Sequence, residues 1–354
     1  MLKNLIGALA CALACHAAIA ADPLQVGFIY VSPVGQAGWT FQHDLARQSM
    51  ERALGAQVRT RYVEAVPEGA DAERVMRAMA ADGARLIFAT SFGYLEPALR
   101  VATDFPGVRF EHAGGYKTAA NLNVYNARFY EGRWLAGWLA GKASATGVAG
   151  YVAGFPVPEV IQGINAFTLG MRAANPKATV RVLWLGTWFD PPKEREAALT
   201  LIGGGADVLT NHSGSPAVPQ TAEERGVRVI GYQSDMSRFA PTMQLAAVTS
   251  DWGTYYTHVA RSVIGGTWKA QPVWGGMKDG MVHLSAVSAS VPATVRRELA
   301  ARTQALVAGH AGPFMGRLVD QAGHVRHERG ALGDDAIAKM DWFVQGVVGE
   351  LPAR

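Results

Sequence analysis

The sequence predicts an α/β protein built as two doubly wound, parallel-sheet lobes, and three observations carry that prediction. Short apolar runs alternate with helix-length amphipathic segments along the chain. The runs are almost continuously apolar, which is the pattern of strands covered on both faces of a parallel sheet. The chain has 354 residues, and losing a leader of about 20 still leaves more than one hydrophobic core usually holds.

The elements follow in order. The N-terminus, MLKNLIGALACALACHAAIAADPL, has one cation at Lys3, an apolar stretch from Leu5 to Leu13, and the small residues Ala18, Ile19 and Ala20 ahead of Ala21. That pattern predicts a secretory signal peptide over 1–20 with an A-x-A cleavage site, too short to span a bilayer, and a mature chain in the periplasm from Ala21 or Asp22. Both cysteines, Cys11 and Cys15, fall inside it, so the mature chain is expected to have no disulfide, thiolate nucleophile or cysteine metal site. ALAC lacks the Leu three residues before Cys15 that marks lipoprotein processing, which leaves a lipid anchor as the lesser alternative.

Strands are expected at 25–31, 58–63, 85–90, 108–113, 148–153, 180–185, 207–211 and 227–233, with helices at 41–54, 72–81, 130–143, 158–173, 194–203 and 218–225. The helix at 158–173 shows the pattern well. Glu159, Gln162 and Asn165 share one side, and Ile161, Ile164, Phe167 and Leu169 supply an apolar one. No later segment has the apolar length of a membrane helix. The formal charge of +4 is small for this length and no dense Lys/Arg run occurs, so no nucleic-acid partner is expected.

In open parallel sheets, ligands bind beyond the carboxyl ends of the strands, where loops enter helix N-termini. The loops to weigh are therefore SPVGQAGWTF, TSFGY, HAGGYKTAANLNVY, AGFPVPE, LGTWFDPPKE, TNHSGSP and GYQSDMS. In the first of these Trp39 stands between glycines and a helix start. Either it contacts a ligand or it is a lid on the adjacent helix. Trp188, in GTWFDP, is either a ligand contact or a wedge between strand and helix.

GWTFQHD after the first strand, YEGRWLAGWLAG at 130–141, GYVAGFPVPEVIQGINAFTLGMRAANP, WFDPPKEREAALTLIGGGADVLTNHSGSP, GYQSDMS and DWGTYYTHV follow one another over residues 38–259. In order and spacing they resemble the BMP family of ABC-transporter solute-binding proteins, the purine nucleoside receptor-like group known as basic membrane lipoproteins. The resemblance implies a type I periplasmic-binding-protein fold with a central cleft. Residues 21–127 plus about 253–290 would form the N-terminal lobe, and 128–252 plus about 291–354 the C-terminal one. It also implies a monomer that delivers a small molecule to a membrane ABC permease, with no cofactor. In nucleoside-binding relatives an aromatic in the loop of Trp39 stacks on the purine. Trp188, on the other lobe, would close a sandwich, each stacking contact worth ~1–3 kcal/mol per base.

Candidates for the ring edges are His43, Tyr94, Glu111, Tyr116, Asn121, Asn165, His212, Asp235 and Trp252. Asp235 accepts a ring N–H or exocyclic amine, or else caps a turn. His212 is a ligand contact or a loop hydrogen-bonder, and His43, one turn past Trp39, faces the cleft or supports the indole. Glu131 is expected to be structural near the crossover, and Lys278 a solvated loop residue. Nucleoside-binding relatives carry an acid just after the first strand, where this chain has Ser32, Pro33 and Val34. That departure favours a purine base or a similar flat heterocycle over a purine nucleoside, and a riboflavin-like ligand, which shares the stacking requirement, stays an alternative.

Catalysis is not expected. GxSxG, P-loop, GxGxxG and HExxH motifs are absent from the sequence, which disfavours nucleoside hydrolysis. His212, Ser213 and Ser215 lack an identifiable base and orienting acid, and no metal site is expected. A ligand sensor feeding a separate signalling partner is the remaining alternative.

Overall fold

The computed structural model describes residues 22–352; the predicted signal peptide and both cysteines lie outside the described residues. The elements run β1 Leu24–Ile29, α1 Trp39–Leu54, β2 Val58–Val63, α2 Ala70–Ala81, β3 Leu86–Ala89, α3 Leu95–Asp104, β4 Arg109–Ala113, β5 Leu122–Ala127, α4 Phe129–Ala143, β6 Val148–Ala153, α5 Pro158–Ala174 and β7 Thr179–Trp184. They continue α6 Pro191–Gly203, β8 Val208–His212, α7 Ala217–Arg225, β9 Arg228–Gln233, β10 Gln244–Ser250, α8 Gly253–Ile264, β11 Val273–Gly275, β12 Val282–Leu284, α9 Ala293–Val307, β13 Leu318–Val319, β14 Val325–His327, α10 Asp334–Ala338 and β15 Val347–Val348.

Two sheets organise the chain. One has the order β11-β5-β4-β3-β1-β2 and the other β12-β10-β9-β8-β6-β7-β15, with a small β13-β14 ribbon beside them. The six-stranded sheet is parallel throughout. The seven-stranded sheet is parallel except where β12 runs antiparallel to β10. The chain passes from the first sheet to the second after β5, returns through α8, which packs on α1, and leaves again between β11 and β12. This is the mixed α/β, type I periplasmic-binding-protein architecture expected from the sequence.

The structure adds elements the apolar pattern did not announce. β5, LNVYNA, carries Asn123 and Asn126, polar residues that spoil an apolar run. They are tolerated because each amide has a carboxylate: Asn123 Nδ2 donates to Glu111 Oε2 at 3.1 Å and Asn126 Nδ2 to Glu159 Oε2 at 2.8 Å. α3 holds Pro97 in its first turn, where a missing N–H costs no helical hydrogen bond. α4 is buried almost all round because it lies between β10, α5 and α9. A single apolar cluster joins the lobes, from Phe28 and Phe88 through Trp252 and Tyr256 to Trp138, Tyr151 and Phe167.

The segment after α9 wraps α5, and Asn165 fastens it. The Asn165 side chain is fully buried, donates Nδ2–H to Trp342 O at 2.8 Å and accepts from Val344 N at 2.9 Å through Oδ1. The sequence offered Asn165 as a ligand contact; its amide is instead spent on this backbone. Asn165→Ala strands both partners in the interior, and the expected loss is about 2 kcal/mol of unfolding free energy, measured by urea titration.

Candidate functional site

The carboxyl ends of both sheets meet at one interlobe cavity, the place where open parallel sheets bind ligands. Val31, Ser32, Trp39, Ser91, Phe92, Ala113 and Gly114 line it from the first lobe, and Val157, Glu159, Trp188, His212, Ser213, Gly214 and Gln233 from the second. Each follows or ends a parallel strand or opens the next helix, where the topology puts loops.

Trp39 is the first residue of α1, half-buried, and its indole N–H donates to Thr90 O at 2.6 Å. His43 packs its edge behind the ring with centroids 4.3 Å apart. His43 in turn stacks on Trp252 at 5.3 Å and shares a hydrogen bond with Tyr256 Oη through Nδ1. Burial pulls the His43 pKa down to about 3, so the ring is neutral. His43 and Trp252, both wholly buried and outside the cavity lining, therefore brace the indole from behind.

Trp188, on the loop between β7 and α6, meets the cavity from the opposite lobe and rests edge-on against Phe155 at 4.9 Å. Its N–H crosses to Glu68 Oε1 of the first lobe at 3.1 Å. Further bonds tie the lobes, among them Gly38 N to Ser234 Oγ at 2.5 Å, Gln42 Nε2 to Gln233 O at 2.8 Å and the Asn126 to Glu159 bond described above.

The first lobe adds Ser32 and Ser91, but the titratable groups of the lining and its buried acceptors without partners among the described residues come from the second lobe. His212 ends β8, with Nε2 3.5 Å from Glu159 Oε1 and Nδ1 buried without a hydrogen-bond partner among the described residues. Burial holds its pKa below the ordinary value against the opposing pull of Glu159, so Nε2 carries the proton that faces the carboxylate and Nδ1 is left as an acceptor. Gln233 ends β9 with φ of 66°, a left-handed conformation rare outside glycine, and its buried Oε1 also lacks a partner among the described residues. Behind them lies Arg133, fully buried, which donates to Asn211 O at 2.6 Å and stands 3.4 Å from the Tyr232 ring centroid. The cavity thus pairs aromatic walls with a carboxylate and two unpaired acceptors. Among the described residues, no group of three or more His, Cys, Asp or Glu side chains is placed to hold a metal ion.

Of the sequence candidates, Trp39, Trp188 and His212 line the cavity; the others do not. Tyr94 is fully buried and donates to Val66 O at 2.6 Å. Tyr116 is 65% exposed, with its ring 6.1 Å from that of Phe92. Asn121 donates to the carbonyls of Ala102, Phe105 and Val108, closing the turn between α3 and β4. Asp235 is exposed and accepts from Ser237 N and Gln244 Nε2, the turn-cap alternative. Glu131 accepts from Met277 N beside the passage from β11 to β12, and Lys278 is an exposed loop residue.

Glu111 is buried away from the cavity, accepting from Tyr255 Oη and Trp268 Nε1, each at 2.7 Å. Burial raises its carboxyl to about 7, against the lowering effect of those bonds. Between about 4.5 and about 7 the folded state therefore holds a proton that the unfolded chain has lost. The stability this group contributes is present below that window and is lost as pH rises through it. Glu111→Gln is expected to remove that decline, seen as a shallower fall of the urea midpoint from pH 5 to 7 than in the native chain.

Sequence reasoning missed Glu159, Gln233 and Phe92. Glu159 looked like the polar side of a surface helix, yet it is the second residue of a helix that follows a strand directly, and that position was the available signal.

Residues 24–306 match the family described as ABC transporter substrate-binding protein, PnrA-like. A purine-binding protein of Brucella abortus is 48% identical over 338 residues, covering 95% of this chain and 96% of that protein. A Haloferax volcanii protein whose name describes an ABC-transporter glucose-binding protein is 36% identical, covering 94% of this chain and 82% of its own length. Among solved structures, a solute-binding protein of an Aeropyrum pernix ABC transporter superposes with a TM-score of 0.71 at 18% identity, covering 89% of this chain and 95% of that one, a likeness of fold. No helix among the described residues is long and apolar enough to cross a membrane.

Proposed function

The chain belongs to the Bmp family of PnrA-like ABC-transporter substrate-binding proteins, and from that premise we propose that it captures a purine base between Trp39 and Trp188 in the periplasm and presents it to a membrane permease. The observation that carries this reading is the meeting of two indoles, one from each lobe, in one cavity. Each stacking contact contributes ~1–3 kcal/mol per base, a large share of the ~8 kcal/mol of micromolar binding.

The edges favour a ligand rich in donors. His212 Nδ1 and Gln233 Oε1 are buried acceptors in need of partners, and Glu159 offers a carboxylate beside them. Ring N–H groups and an exocyclic amine satisfy such a set, and leaving it unpaired is costly. The 48% identical relative is named for purine binding, which agrees. The stretch after β1, Ser32, Pro33 and Val34, carries no acid for a ribose, and the Ser32 hydroxyl is already engaged with Thr40 Oγ1 at 2.7 Å. The ligand docks on one lobe, the lobes close over it, and it leaves chemically unchanged.

Titration calorimetry with adenine, guanine, xanthine, adenosine and glucose tests this reading. Micromolar or tighter binding of a purine base, weaker binding of the nucleoside and a quench of tryptophan fluorescence are the expected results. Binding of glucose with no response to any purine overturns it in favour of the ligand named for the 36% identical relative.

A further inference from the structure

We infer that Glu68 is a positioning residue of this site: its carboxylate, fixed on the first lobe, latches the Trp188 indole of the second lobe and seats it over the ligand only when the lobes are shut. The inference rests on the reading of the cavity as a site closed by two indoles, and adds to it the device that holds the second one.

Glu68 lies on the loop between β2 and α2, and that loop is pinned. Val66 N donates to Tyr30 O at 3.0 Å, Val66 O accepts from Tyr94 Oη at 2.6 Å, and Ala65 turns the chain with a φ of 54°. The carboxylate at its end is fixed again by the first lobe. Oε1 accepts from Ser91 Oγ at 2.6 Å and from Gly93 N at 2.9 Å. Any side chain at 93 forbids this approach, because a Cβ there comes within 2.4 Å of the Glu68 carboxylate carbon. Phe92, between those two donors, is cavity wall. Glu68 thus braces one wall before the other lobe arrives.

Trp188 supplies the third donor from across the cleft, at 3.1 Å. Its own lobe supports the ring by the edge contact with Phe155, which leaves the N–H as the part that reaches over. In an open molecule Ser91 and Gly93 still hold the carboxylate, while water takes the indole N–H. The bond therefore belongs to the closed state alone, and a contact made only there slows release of what is enclosed. The ties of Gly38 to Ser234 and of Gln42 to Gln233 draw the lobes together without gripping an aromatic wall. Glu68 couples closure to the placement of a ring that lines the cavity.

The test is a double-mutant cycle on adenine release, followed by stopped-flow tryptophan fluorescence. Glu68→Ala is expected to speed release about tenfold, in keeping with loss of one charge-assisted hydrogen bond. Glu68→Gln keeps an acceptor oxygen and should retain most of the slow release. Trp188→Phe keeps a stacking ring without the N–H, and in that background Glu68→Ala should change release less than twofold. An equal acceleration in both backgrounds overturns the latch, leaving Glu68 as a prop for residues 91–93. If the native protein binds no purine, the ligand reading fails and the latch is judged without ligand. Spin labels at Ala56→Cys and Lys177→Cys, one exposed site per lobe, then report the interlobe distance. Glu68→Ala must deplete the short-distance population, and an unchanged distribution overturns the proposal.

Discussion

Alanine at position 38 is expected to hold the lobes apart and to weaken ligand binding roughly a hundredfold, about 2.7 kcal/mol. Gly38 precedes α1 with φ of 90° and ψ of −166°, a conformation that glycine adopts without strain. A Cβ built there stands 2.1 Å from Gly214 O, a backbone atom of the opposite lobe and of the cavity lining. Neither side can yield cheaply, because Gly214 N is itself bonded to Trp188 O at 2.8 Å. In the open form the collision is absent and only the backbone penalty remains, so the cost falls mainly on closure and appears as lost affinity. Calorimetry measures the affinity, and small-angle scattering shows whether the liganded protein still contracts. Native affinity in Gly38→Ala means that the lobes do not need to meet at this point. Ser234→Ala, which removes only the hydrogen bond to Gly38 N, should cost much less.

Trp39→Ala should lower affinity for the bound purine at least tenfold and as much as a hundredfold, the span of ~1–3 kcal/mol per stacked base. The effect is larger than a lost contact alone. Truncation strips Thr90 O of its donor and uncovers His43, which stacks on Trp252 behind the indole. The same packing means that stability falls as well, and a drop of a few degrees in Tm is expected. Trp39→Phe separates the two effects. It keeps a face for the ligand and a partner for His43, loses the N–H, and should bind with intermediate affinity. Unaltered affinity in the alanine variant removes Trp39 from the site.

The sequence candidates that line the cavity share one property: they end a strand, follow one or open a helix. Trp39 starts α1, Trp188 follows β7 and His212 ends β8, and all three reach the cavity. The candidates that do not line it lie in the same loops or inside the adjoining helices and strands, and their side chains turn elsewhere. In TSFGY the structure gives Phe92 to the cavity and Tyr94 to the interior, two residues apart, because Tyr94 Oη finds Val66 O. Asn121 and Asn165 looked like ligand amides and instead satisfy buried backbone groups of neighbouring segments. The carboxylate that does line the cavity, Glu159, comes from the second lobe as the second residue of α5, far along the chain from β1.

By itself the sequence determined the alternation of strand and helix, the two lobes and the loops in which a site can form, because apolar periodicity and glycine-bearing turns act over a few residues. Only the tertiary structure decided which residues meet across the cleft: Trp39 and Trp188 on one cavity, Glu68 with the indole N–H, Gly38 against Gly214. Those pairs join residues separated by more than a hundred positions. Their meeting depends on how two sheets are set against each other and on which way each side chain leaves its loop, and no local pattern carries that information.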